Sequence, residues 1–322
     1  MKLTGRKGFA YIVSASLILL VVLFTFLAVQ RPMHTERQEA YESRIRTMND
    51  FVESVNKDLE RVSFISAFRT LMALEDDIGN RGEFIEDIDE SFRETFMYGT
   101  IQGAEVPLMN DTSVEEYEER INLIAGTMGI KIDLNVTRIE LYHTDPWNVE
   151  VNITTIVNIS DMHGEVYWEY EEKTNARLPI RNLRDPLYAV HTLNRLPNTV
   201  RELNATYLVS PENDTSNLQE HINQSYYLAS PYAPSFLMRF EGNNSASPYG
   251  IESIVNIHEL SAQDLTVYPD RAKIDYVYFN NIDESPYICN VESISLESYF
   301  VIPSNRQTLY EVSGLDHSTN CP

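Results

Sequence analysis

Residues 130–137 read IKIDLNVT and residues 147–160 read WNVEVNITTIVNIS. In the first stretch Ile130, Ile132, Leu134 and Val136 alternate with Lys131, Asp133, Asn135 and Thr137. In the second, Trp147, Val149, Val151, Ile153, Val157 and Ile159 share one parity, and Asn148, Glu150, Asn152, Thr154 and Asn158 share the other. An apolar period of two marks a strand with one covered face. His143-Thr144-Asp145-Pro146 between the stretches reads as a turn, and residues 161–164 read as another. After it Val166, Trp168 and Tyr170 are expected inward, with Glu165, Glu169 and Glu171 near the opposite face. Three such strands joined by short turns make an antiparallel meander.

Upstream of residue 130 the apolar period lengthens. Tyr41, Ile45, Met48, Val52, Val55, Leu59 and Val62 recur in steps of four and three, with Arg44, Arg46, Asp50, Glu53, Lys57 and Glu60 between them. This is a helical seam at heptad spacing. It can pack on the protein's own body or on another copy, and the spacing alone leaves both open. A second helix is expected over residues 83–98, with Phe84, Ile88, Phe92 and Phe96 on one face. A third starts at Thr112 or Ser113, carries Glu115 and Glu116 in its first turn, and ends near Gly126 or Gly129. Helices followed by an antiparallel sheet give an α+β fold.

Further upstream, no charge interrupts Phe9 through Val29. At 1.5 Å per residue this run matches the ~30 Å hydrocarbon core of a bilayer. Lys2, Arg6 and Lys7 precede it, and Arg31, Glu36 and Glu39 follow. The cation bias places the N-terminus in the cytoplasm and the rest outside. A cleaved secretory signal is the competing reading, against which stand the length of the run and the lack of a small-x-small cleavage site. Pro32 falls just past the run, where a helix bends more readily than it ends. The resulting division is a basic leader (1–8), a transmembrane helix (9–29), an amphipathic helical stalk (30–80), helices plus meander (81–182) and a C-terminal α+β region (183–322).

The formal net charge is −23, with the cations before the span on the inner side. Such a surface repels nucleic acid and anionic lipid headgroups, so nucleic acid is excluded as a partner and membrane lipid enters only through the span. Asn-x-Ser/Thr sequons, the acceptors of N-glycosylation, begin at Asn110, Asn135, Asn152, Asn158, Asn204, Asn213, Asn223 and Asn243. All of them follow the span, and Asn135, Asn152 and Asn158 fall on the polar parity of the strands. Cys289 and Cys321 lie on the side read as oxidising, where they either pair or stand as unrelated thiols.

At the N-terminus Arg6-Lys7-Gly8-Phe9-Ala10, leading directly into the apolar run, resembles a type IV prepilin leader. The resemblance implies peptidase cleavage between Gly8 and Phe9. It also implies a helix that joins like helices of other pilin-like subunits, and an external α+β body. It covers under a tenth of the chain. Pilins usually carry Glu at the fifth mature position, and here that position is Val13. The segments 181–188 (RNLRDPLY), 233–237 (APSFL) and 250–253 (GIES) are similar to large archaeal surface proteins with comparable leaders. That likeness implies an archaeal cell-surface setting and no activity.

Beyond Leu183 periodicity fades among Asp185-Pro186, Leu196-Pro197-Asn198, Ser210-Pro211, Ser230-Pro231, Ala233-Pro234 and Ser247-Pro248. Strands are expected at 272–279, 295–302 and 308–312, and short helices at 218–228 and 251–260. His221, His258 and His317 are isolated, and His258-Glu259 lacks the second histidine of a zinc-peptidase helix. Pairs such as Asp76-Asp77 and Glu115-Glu116 read as solvated faces. No Asp-x-Asp-x-Asp-Gly run points to calcium. Tyr226, Tyr227 and Tyr232 suit packing or a sugar-binding surface. No catalytic, cofactor or metal residues are assigned, and the chain is read as a non-enzymatic, membrane-anchored surface protein.

Overall fold

The structure, a computed structural model, describes residues 4–162, 164, 166–294 and 300–321, with side chains for residues 8–27 and from 42 onward. One helix dominates it. α1 (Thr4–Arg81) runs 78 residues without a break, through Pro32 and into the body. Gly82, at φ +69°, ends it by turning its N–H back onto the Ile78 carbonyl at 2.8 Å. That is the left-handed stop glycine provides at least cost.

After α1 come α2 (Ile88–Tyr98), the small hairpin β1 (Thr100–Ile101) and β2 (Ala104–Glu105), and α3 (Val114–Thr127). Then follow β3 (Ile130–Asp145), β4 (Asn148–Asp161) and β5 (Tyr167–Pro179), an antiparallel sheet in chain order. The C-terminal lobe holds α4 (Pro186–His191), α5 (Ser216–Asn223), β6 (Tyr227–Ala229), α6 (Phe236–Phe240) and β7 (Ile251–Ser253). It closes with α7 (Ile257–Ala262), α8 (Asp275–Asn280), β8 (Tyr287–Cys289) and β9 (Val301–Pro303). Strands β6 and β7 pair antiparallel, as do β8 and β9.

The meander has the expected inner face. Ile130, Ile132 and Leu134 of β3 and Val149, Val151, Ile153, Val157 and Ile159 of β4 are buried, with Trp168 and Tyr170 of β5 half-buried beside them. Glu165 lies outside the described residues. β3, however, runs on to Asp145, and the turn is confined to Pro146-Trp147. The reason is a bulge. Val136 faces Thr155 and Arg138 faces Thr154, so Thr137 is the extra residue. One inserted residue switches the parity of the strand: before it even positions point inward, and after it Ile139, Leu141 and His143 do.

α1 packs on the body from Met48 onward, so residues 48–80 belong to the core rather than to a separate stalk. The buried stripe runs Met48, Phe51, Val55, Leu59, Ser63, Ala67, Thr70, Leu74 and Ile78. It departs from the heptad reading. Ile45 is 45% exposed, Val52 and Val62 are half-buried, and Phe51 replaces them in the core. A straight helix repeats every 3.6 residues and slides off a 3.5-residue seam. The lower stripe meets Tyr117, Ile121 and Ala125 of α3, and the upper stripe meets Phe92 and Phe96 of α2 and Leu178 of β5.

α2 begins at Ile88, later than the seam of Phe84 implied, because Asp87 caps it by accepting from the Glu90 N–H at 3.0 Å. α3 is capped by Ser113, as expected: Ser113 Oγ accepts from the Glu116 N–H at 3.3 Å and donates to the Glu116 carboxylate at 3.0 Å. Expectations for the C-terminal lobe fare worse. Residues 275–280 form α8 and not a strand; 308–311 are turns; 251–260 split into β7 and α7; and α5 stops at Asn223 before β6. Of the expected strand 295–302, residues 295–299 lie outside the described residues, and β9 covers Val301–Pro303. These elements are three to eight residues long, too short to display a period, and β7, β9 and most of α8 have no solvent face to impose one.

Candidate functional site

The apolar helix is the first candidate. Within α1, Gly8–Leu27 is a 20-residue stretch of mean hydropathy 2.6 that the rest of the protein leaves uncovered. Its length and composition suffice to cross a bilayer. Its serine and threonine hydroxyls turn back on their own helix: Ser14 donates to the Ala10 carbonyl at 2.8 Å and Thr25 to Val21 at 3.0 Å. Such back-bonding satisfies these donors within the helix, as an apolar surrounding requires, while Tyr11, near the N-terminal end of the stretch, is exposed. The Gly8–Phe9 bond lies within this helix, with open space around Gly8 and Phe9 70% exposed.

The sheet's outer face is the second. Asn135 is exposed there, and Asn152 and Asn158 are half-buried on it. Asn152 donates to the Tyr142 hydroxyl at 2.9 Å, and Asn158 donates to Asp133 at 3.3 Å. Asn110, Asn204, Asn213, Asn223 and Asn243 are all exposed. At Asn243 the side-chain oxygen accepts from the Ser245 N–H at 3.0 Å, an Asx turn formed inside the sequon itself.

Cys289 and Cys321 form a disulfide, with Cα atoms 5.6 Å apart. The bond fastens the C-terminal tail to β8, where Cys289 and Ser318 also exchange backbone hydrogen bonds at 2.9 Å. Beside the lower part of α1 lies an open groove of about 760 Å³ between α1 and α3. Phe51, Val55, Ile121, Ile124 and Met128 line it, with Asp50, Lys57, Asp58 and Arg61 along it.

The sequence reading missed the polar centre of the C-terminal lobe. Arg239 of α6 is fully buried and bonds Asp185 at 2.6 Å and Asp275 at 2.9 Å. Burial works against its charge, and the two carboxylates outweigh burial, so the guanidinium stays firmly protonated. Asp185, the cap of α4, also accepts from Leu187 N and the Tyr227 hydroxyl. Asp275 also accepts from Ser253 N, Ser253 Oγ and Tyr276 N. Next to this group, Arg306 bonds Glu252 at 3.2 Å, the Tyr276 hydroxyl at 2.5 Å and Glu284 at 3.0 Å, with the Tyr232 ring 4.2 Å from its guanidinium carbon. Gly250 lets these segments meet, since a Cβ there would lie 2.0 Å from the Ala233 carbonyl oxygen. One signal was visible beforehand: single charges set among apolar neighbours, as in Phe236-Leu237-Met238-Arg239-Phe240 and Ile251-Glu252-Ser253-Ile254.

The tyrosines divide between these settings. Tyr227 is fully buried in the polar centre, while Tyr226 and Tyr232 lie against Arg201 and Arg306. The three histidines singled out by sequence do not come together: His221 is buried on α5 between the Tyr226 and Tyr310 rings, His258 sits on α7, and His317 bonds the Leu315 carbonyl. Among the described residues no group of three or more His, Cys, Asp or Glu side chains is arranged to hold a metal ion. Comparison with protein-family models, with curated proteins and with solved structures finds no match to this chain.

Proposed function

We propose that this chain is a membrane-anchored extracytoplasmic surface protein, a pilin-like minor or accessory subunit of a type IV filament or secretion-type assembly. The observation that carries the reading is α1: one unbroken helix joins a bare apolar segment, Gly8–Leu27, to the core of an α+β body. The Lys7-Gly8-Phe9 junction at its start supplies the processing site. Lys2, Arg6 and Lys7 keep the leader inside, and the acidic body with its disulfide and eight sequons suits the oxidising exterior. In this reading the exposed sequons carry glycans. The sheet's covered face would hold the fold while its outer face carries the sugar.

The second reading is a permanently anchored, non-enzymatic ectodomain that binds an envelope or surface-layer partner. It is favoured by Val13, which leaves the span without the carboxylate that pilins usually place there. The mature N-terminus separates the two. Intact-mass and N-terminal peptide measurements on protein from its native membrane are expected to show Phe9 as the first residue. A native protein that retains residues 1–8 would sink the pilin-like reading and leave the ectodomain reading in place.

A further inference from the structure

The polar centre of the C-terminal lobe does not balance as a set of ionised groups. Four carboxyls, Asp185, Glu252, Asp275 and Glu284, surround two guanidiniums, Arg239 and Arg306. Three of the carboxyls have no exposed side-chain surface, and Glu284 alone reaches water, at 22% exposure. An unbalanced charge cut off from solvent is strongly disfavoured, so a buried set with spare carboxylates takes up a proton or a cation. The described residues offer no metal-holding cluster here.

The hydrogen bonds say which carboxyl takes the proton. Asp275 receives five, from Arg239 twice, Ser253 twice and Tyr276. Asp185 receives three, from Leu187, Tyr227 and Arg239. Both are built to hold negative charge, Asp275 through Arg239 and its other donors against the upward push of burial. Glu284 reaches water, accepts from the Tyr276 hydroxyl at 2.9 Å and lies 3.0 Å from Arg306, so its charge is the least costly of the four to keep. Glu252 is different. Arg306 Nε reaches only its Oε2, and its Oε1 is buried with no partner. The Tyr310 hydroxyl is also buried, and the carboxyl of Glu252 is the polar group it faces.

We propose that the native lobe keeps a proton on Glu252, enclosed between Arg306 and Tyr310, and that losing this proton loosens the lobe. A proton on Oε1 gives Tyr310 a donor and leaves Arg306 its bond to Oε2. It also lowers the surplus of negative charge. The groups facing Glu252 are Arg306 and Tyr310 beyond β9, Asp275 and Tyr276 of α8, and Ser230 after β6, with Arg239 of α6 beyond Asp275. Burial pushes the Glu252 carboxyl up to about 7, against the pull of Arg306 and Ser230, in line with the geometry. A folded-state value above the unfolded one makes stability fall as pH rises from 4.5 toward 7 and level off beyond it.

The test is the difference between wild type and Glu252→Gln, measured as unfolding midpoints of the detergent-solubilised full chain at pH 5 and pH 8. Glutamine mimics the protonated acid. The two midpoints are expected to coincide at pH 5, with the variant higher at pH 8. A variant that is lower at pH 8, by more than at pH 5, means an ionised Glu252 paired with Arg306 and overturns the proposal. Should the variant not fold, infrared spectra of the Glu75→Gln chain at pH 6 decide. A carbonyl stretch from a buried carboxylic acid is expected, and its absence overturns the proposal equally.

Discussion

His221 is sealed into the C-terminal lobe with both ring nitrogens unpartnered and the Tyr226 and Tyr310 rings against it. Burial depresses its pKa from 6.5 to about 4. The folded protein therefore holds it neutral over a range in which the unfolded chain is already taking up a proton. Stability from this residue is full above pH 6.5 and drains away as pH falls toward 4, by about 3 kcal/mol in all. Glu75, which burial pushes up to about 8, and Glu252 act with the opposite sign, so the raw pH profile mixes them. Comparing wild type with His221→Phe isolates the histidine. The variant is expected to lose less stability between pH 6.5 and 4.5 in denaturant titrations, and an unchanged slope would refute the argument. Residues of this kind are poorly legible in sequence. His221 reads as one isolated histidine among polar neighbours, and only the packing of α5 against Tyr310 reveals that it is closed off.

Among the elements, β3 shows what alternation reveals and what it hides. Residues 130–136 give a clean period of two because one face is covered and the other is wet. The period ends at Thr137, although the strand continues for eight more residues, to Asp145. The bulge shifts the parity, and a pattern that looks broken is two regular halves out of step. This yields a sharp expectation. Deleting Thr137 removes the extra residue and leaves Ile139, Leu141 and His143 facing inward, so the cost is that of lost local twist, below about 2 kcal/mol on the usual scale of single changes. Deleting Asp133, a few residues earlier, puts the following residues on the wrong face, and the sheet is expected not to form. Circular dichroism and thermal unfolding of the two deletions check this, and similar losses in both would contradict the register. In the C-terminal lobe even this partial legibility is lost. Ile274, Tyr276 and Tyr278 alternate as a strand would, yet 275–280 is a helix buried all round, and Val277 between them is buried as well. Arg239, Asp185 and Asp275 come together from three separate elements, and no local pattern announces such a meeting.

Taken whole, the molecule is fastened at both ends of its body: α1 runs through the core at one end, and the Cys289–Cys321 bond holds the tail at the other. The bond spans a sequence separation of 32 residues. On chain-entropy grounds such a loop is worth about 3–4 kcal/mol. Replacing both cysteines by serine is expected to lower stability by roughly that amount and to raise hydrogen exchange in residues 313–321. Exchange in α1 beyond Met48 and in the three-stranded meander should stay as it was. Exchange that rises evenly across the chain would show instead that the bond supports the whole body and not the tail.

The continuity of α1 carries one more consequence, in its angular phase. No loop separates the apolar stretch ending at Leu27 from the first residue the body buries, Met48, so the two are geared to each other. At 3.6 residues per turn, each residue added between them swings the body by about 100° around the helix axis and moves it about 1.5 Å along it. Seven added residues bring the same side of the body nearly back to its original bearing, some 10 Å higher. The number of helical residues between them thus fixes both how far the body stands from the apolar stretch and which way it faces.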